Sequence, residues 1–135
     1  MTQSEESRSV ITERDMPHPV EKVWRALTQG PLLEEWLMQN DFEPVVGQRF
    51  EFRADWGAVE GQVLTIEPQK ALSYTWEAFG LKSVVTYTLT ATPGGTHLRV
   101  EQNGFRKDQE QAYQGARYGW QKFLGDLERV VGKLT

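Results

Sequence analysis

The sequence carries two imidazoles, His18 and His97, and no thiol. Proton transfer near neutral pH would fall to these histidines, because imidazole titrates there without perturbation. His18 lies between Pro17 and Pro19, and His97 is out of phase with Leu98 and Val100, which predicts a solvent-facing ring. Neither stands with a serine or paired carboxylates in a motif, so no nucleophilic triad is encoded. Glu34 and Glu35 are neighbours on a helical stretch and point about 100° apart, which suits a solvated face and not paired acid–base work. A metal centre needs clustered ligands, and two distant histidines do not supply them. Gly94-Gly95 and Gly104 read as turns, and no GxGxxG follows a strand. Neither metal nor cofactor is expected.

Recognition chemistry is better represented. Phe52, Trp56, Tyr74, Trp76 and Tyr87 occupy strand positions predicted to face inward, and Tyr113 and Trp120 face them from a helix. Trp36 and Phe42 come from a segment that would close one end. Aromatic rings offer large rigid faces, and Tyr and Trp add a polar tip. The same residues could simply fill a core, although buried N–H and O–H groups need partners, which Leu, Ile and Phe do not. A cavity holding water or a polar-tipped ligand would supply such partners. Gln102 is the inward polar residue of the last strand. Its neutral amide can orient a carbonyl or hydroxyl, or bond a tyrosine or water, but it is no general acid or base.

These residues sit on elements legible from periodicity. Tyr113, Ala116, Trp120, Phe123, Leu124, Leu127, Val130, Val131 and Leu134 step by threes and fours, predicting one long helix over Lys107–Leu134. Gly115 and Gly119 lie beside Ala112 on one flank of that stripe, a strip of small residues that could form a ligand portal or pack closely against a loop or a partner subunit. Upstream, Ser9–Arg14 reads as a strand, and Pro19 opens a helix with Val20, Val23, Trp24 and Leu27 at helical spacing. Gly30-Pro31 starts a second short helix with Leu32, Leu33, Trp36 and Leu37. Asn40–Val46 reads as a connecting loop. Five alternating strands then run from Phe50 to Asn103, turned at Gly57, Pro68-Gln69-Lys70, Gly80 and Pro93-Gly94-Gly95. The Val59–Ile66 strand has apolar residues on both parities, so its facing is ambiguous. The predicted architecture is α+β, a curved antiparallel sheet of about six strands around a C-terminal helix.

At 135 residues the chain is most simply one domain, residues 8–135, after a loose polar tail at 1–7. Such a length buries roughly two thirds of its unfolded surface without cross-links. There are 15 basic and 19 acidic residues, giving a net charge of −4 with both signs interspersed, and no basic field for nucleic acid. No apolar run approaches the ~18 residues of a membrane span, and the N-terminus lacks a signal peptide's pattern. A cysteine-free chain suits a reducing cytoplasm.

Several phrases, taken in order, carry a resemblance: Val23-Trp24-Arg25-Ala26-Leu27-Thr28, Trp36, Val46-Gly47-Gln48-Arg49-Phe50, Gly61-Gln62-Val63 before Glu67-Pro68, and Leu72-Ser73-Tyr74-Thr75-Trp76. Gly95-Thr96-His97-Leu98, Gln102-Asn103-Gly104-Phe105 and Gly119-Trp120 follow. Across residues 8–134 the chain resembles the Aha1-type branch (activator of Hsp90 ATPase homologue-like) of the START-like, or SRPBCC, helix-grip superfamily. The resemblance implies a cavity between the long helix and the sheet. That superfamily includes lipid and polyketide binders, polyketide cyclases, self-sacrificing resistance proteins and a domain that stimulates the Hsp90 ATPase. Many relatives have histidine where this chain has Gln102, so imidazole chemistry in the cavity is not expected. The leading expectation is a monomeric or homodimeric protein enclosing an apolar, aromatic or polyketide-like small molecule. A protein-interaction module with a chaperone as partner, or a cyclase-type enzyme using the same cavity, are the alternatives. Tyr118, facing out of the helix, would belong to an interaction surface.

Overall fold

The computed structural model describes residues 8–134, so the N-terminal tail expected at 1–7 lies outside the described residues. Its elements run β1 (Arg8–Met16), α1 (Val20–Thr28), α2 (Gly30–Trp36), β2 (Gln39–Asn40), β3 (Arg49–Ala54), β4 (Gly57–Glu67), β5 (Ala71–Ala78), β6 (Leu81–Thr92), β7 (Gly95–Phe105) and α3 (Glu110–Gly132). One antiparallel sheet has the order β1-β7-β6-β5-β4-β3-β2. Its seventh strand, β2, comes from the edge of the stretch expected as a loop. Gln39 and Asn40 pair there with Arg53 and Phe52. The Asn40 amide fastens this segment, donating to the carbonyls of Gly30 and Met38 and accepting from the Phe42 N–H, each at 3.0 Å.

Alternation drives the sheet's inner face. Phe50 and Phe52 on β3, Leu72 and Tyr74 on β5, Val85, Tyr87 and Leu89 on β6, and Leu98, Val100 and Gln102 on β7 are all buried. The ambiguous strand β4 has a physical explanation. A register shift between Val63 and Thr65 moves the facing by one residue, so Val59 and Val63 are buried upstream while Ile66 packs on the core downstream. Gly61, inward on β4, leaves the space in which the Phe50 ring lies; a Cβ there would collide with that ring and with the Thr75 carbonyl.

Helix α3 is shorter at both ends than the periodicity predicts. At its start a turn intervenes, in which the Gln109 N–H donates to the Arg106 carbonyl at 3.0 Å and the Gln109 side chain accepts from the Arg106 N–H at 2.9 Å. Trp120, Leu124, Leu127, Val130 and Val131 are buried on α3, whereas Tyr113 and Ala116 are only half-buried. Its C-terminal half is therefore the more deeply packed, while its N-terminal half is held to β1 and β7 through Glu110 and Tyr113 and leaves a recess beside Gly115 and Gly119. Among the described residues no helix is long and apolar enough to cross a membrane.

Candidate ligand-binding cleft

The space beneath the N-terminal half of α3 is a cleft of about 250 Å³. Ala112, Gly115, Ala116 and Gly119 form its helical side, and Trp120 and Phe123 its inner end. Trp76, Leu81, Gln102 and Phe105 form the sheet side, with Met38 and Trp56 completing the wall. A Cβ built on Gly115 or Gly119 would meet nothing within 4 Å. Close packing among the described residues therefore does not account for the small-residue strip, which borders open space there.

A chain of hydrogen bonds fixes the cleft's polar wall. The Trp120 indole N–H donates to Gln102 Oε1 at 2.8 Å, Gln102 Nε2 donates to Ser83 Oγ at 2.9 Å, and Ser83 Oγ donates to the Trp76 carbonyl at 2.9 Å. Indole is a donor only, so the amide must present its oxygen to Trp120 and its NH₂ to Ser83. Gln102 is thus held by an indole and a serine, neither the tyrosine nor the water considered from sequence. Ser83 was not singled out there, although the inward phase Val85-Tyr87-Leu89 extends back through Ser83 to Leu81, which is the signal that finds both. Deeper in, the Tyr74 and Tyr87 hydroxyls lie 2.6 Å apart. Burial pushes both phenols above their ordinary range, so they stay neutral.

The ten aromatic and polar residues expected to hold a ligand separate into two groups. Trp56, Trp76, Gln102 and Trp120 line the cleft. Phe52, Tyr74 and Tyr87 are fully buried beside it, and Phe42, Phe50, Phe52 and Tyr74 form one packed cluster with ring centroids 4.8 to 6.4 Å apart. Trp36 packs edge-on to Phe123 at 6.4 Å and donates its indole N–H to the Ala26 carbonyl at 2.8 Å. Tyr113 points toward the β1 end, edge-on to Phe105 at 5.7 Å with the Arg8 guanidinium 3.8 Å above its ring. The polar tips of Trp36, Tyr74, Tyr87 and Trp120 thus find partners within the protein, and their burial does not require a wet cavity.

Trp56 is a correction to the strand pattern. β3 ends at Ala54, so Trp56 lies in the β3–β4 turn, where alternation no longer applies, and it is 54% exposed. It reaches the cleft from outside, with the Phe79 ring 5.7 Å away. Phe79, at the tip of the β5–β6 hairpin, is 81% exposed and has φ +51°. A bulky side chain rarely adopts that conformation. Only its position beside Gly80 hinted at a turn, and nothing in the sequence marked it as a neighbour of Trp56. Trp56 lines the cleft, and Phe79 touches Trp56 from the side of a separate small depression.

A second depression of about 810 Å³ lies between the short helices and residues 40–44, with Arg25, Glu34, Asp41 and Glu43 among its walls. It is a broad, open groove with charged sides, less suited to an apolar ligand than the cleft. Among the described residues no group of three His, Cys, Asp or Glu could hold a metal ion.

A curved antiparallel sheet holding a C-terminal helix, with two short helices after the first strand, is the helix-grip fold. The chain belongs to the activator of Hsp90 ATPase homolog 1-like family, whose family model matches residues 17–132. Among solved structures it is similar to protein MLL2253 from Mesorhizobium loti, at 55% identity and a TM-score of 0.92 over 95% of this chain and 99% of that one. DynU16, a protein in the dynemicin biosynthetic locus, has a TM-score of 0.84 at 24% identity, over 93% of this chain and 47% of DynU16. Protein BH1534 from Bacillus halodurans has a TM-score of 0.82 at 24% identity, over 92% of this chain and 96% of that one. At this identity the last two likenesses show the fold alone. No curated protein matches.

Proposed function

We propose that this protein binds an apolar, aromatic or polyketide-like small molecule in the cleft between α3 and the sheet, and acts by enclosing it. The observation that carries this reading is an uncharged recess walled by three tryptophans and floored on the helix by glycine and alanine. Concave apolar sites with few polar groups are the usual form of small-molecule sites. The neighbour DynU16 is described as belonging to a biosynthetic locus, which is in keeping with a small-molecule occupant. A cytoplasmic setting agrees with a chain that has no cysteine.

The cyclase alternative finds no ionisable side chain on the cleft walls: Gln102 is a neutral amide, and burial holds both nearby phenols neutral. The protein-interaction alternative needs a contiguous apolar surface. Tyr118 is 78% exposed with polar helical neighbours Gln114, Gln121 and Lys122, whereas the exposed Trp56 and Phe79 touch one another and form the small apolar surface this alternative would use.

Titration with a neutral naphthalene-type probe should quench tryptophan fluorescence saturably. Quenching that persists when Trp56, Trp76 and Trp120 are all replaced by Phe would put the binding elsewhere, and no saturable quenching in the native protein would overturn the reading.

A further inference from the structure

We infer that the cleft selects an uncharged aromatic molecule of about two fused rings that carries a hydrogen-bond acceptor, such as an aryl ketone or quinone, and that the N–H groups of Trp76 and Gln102 read that acceptor. The inference rests on the ligand-binding reading above and specifies its chemistry.

Charge is the first discriminator. No residue lining the cleft is ionisable at neutral pH. A carboxylate or ammonium on the ligand would give up its hydration with no counter-charge to replace it.

The sign of the remaining polarity is the second. Three indoles and one amide are the polar side chains on the walls, and indoles can only donate. Trp120 spends its N–H on Gln102 Oε1, and this fixes the amide's orientation. Gln102 Nε2 gives one hydrogen to Ser83, leaving its second N–H with no protein partner among the described residues. Trp76 Nε1 likewise has no hydrogen bond among the described residues, and it is not among the buried atoms lacking partners, so it keeps access to the recess or to solvent. The network therefore consumes the amide oxygen's strongest interaction and leaves donors unspent. A ligand that brings an acceptor completes the set, whereas a ligand that brings only donors does not.

Size is the third. An apolar cavity of about 150 Å³ accommodates benzene, and this one is about 250 Å³. The Trp76 and Trp120 rings, 5.8 Å apart and inclined at 55°, present faces and edges to a flat molecule.

Three probes on one frame test this: 2-acetylnaphthalene with its carbonyl, 2-isopropylnaphthalene of similar shape without it, and 2-naphthoate with a charge. Affinities are measured by calorimetry on the native protein, Trp76→Phe and Gln102→Met. Trp76→Phe leaves the Gln102 network intact, because Ser83 bonds the backbone carbonyl of residue 76. It keeps the test usable if Gln102→Met fails to fold. The ketone should weaken about three- to tenfold in at least one variant, the value of one neutral hydrogen bond, while the hydrocarbon changes by less than about twofold. Naphthoate should bind native protein roughly tenfold or more weakly than the ketone. Equal losses for ketone and hydrocarbon in both variants, or naphthoate binding as tightly as the ketone, would overturn the donor inference while leaving the cleft a ligand site. Failure of all three to bind native protein would overturn the ligand reading as well.

Discussion

His97 holds a carboxylate at each ring nitrogen, Asp15 at Nδ1 and Glu13 at Nε2, both at 2.7 Å. It lies on the outer face of β7, opposite Asp15 of β1, and its side chain is 35% exposed. The hydrogen bonds to Glu13 and then Asp15 raise its pKa above the ordinary imidazole value. A group whose folded pKa is raised stabilises the fold fully below its unfolded pKa of about 6.5, and loses that contribution as pH rises through the folded value. The stability advantage of native protein over His97→Gln should therefore shrink between mildly acidic and alkaline pH, and added salt should reduce it further. Urea denaturation of both proteins across that range checks it; an advantage independent of pH would contradict the cation assignment. The outward phase of His97 was legible from Leu98 and Val100. Its two partners were not, because they belong to a strand more than 80 positions away in sequence.

Among elements, α3 shows that a helical stripe states which side is covered but not how closely. Two glycines make opposite predictions from their surroundings. Gly119 has open space where a Cβ would stand, so Gly119→Ala should stabilise the fold by up to ~1 kcal/mol through helix propensity while narrowing the cleft and slowing ligand exchange. Gly61 sits against the Phe50 ring and the Thr75 carbonyl, so Gly61→Ala should destabilise by roughly 1–3 kcal/mol or more through overpacking. Chemical denaturation measures both, and a destabilised Gly119→Ala would show that another surface covers that flank in solution. The wheel position of Gly119 could be read from sequence. What faced it could not, since that depends on how far the sheet curves from a straight helix.

At the scale of the molecule, the helix-grip arrangement stands on apolar packing and antiparallel pairing, with no group of potential metal ligands among the described residues. Treatment with a chelator should leave the melting temperature unchanged, as calorimetry can test; a drop of several degrees would reveal a metal that supports the fold. Apart from β2, the order of elements and the inward and outward faces of β3, β5, β6 and β7 followed from local periodicity and residue type. These are properties of a few consecutive residues, and chain order preserves them. The sequence by itself also located Gln102 as the polar inward position. Only the tertiary structure decided that Phe52, Tyr74 and Tyr87 pack solidly while Trp76 and Trp120 border a recess, that Trp56 joins them from a turn, and that Ser83 and Trp120 hold the amide. Periodicity assigns a direction to each side chain, whereas a cavity is a difference between enclosed volume and the summed side chains that enter it from separate segments. That difference is set by sheet curvature and by the height at which α3 is gripped, and neither is written in any one stretch of the chain.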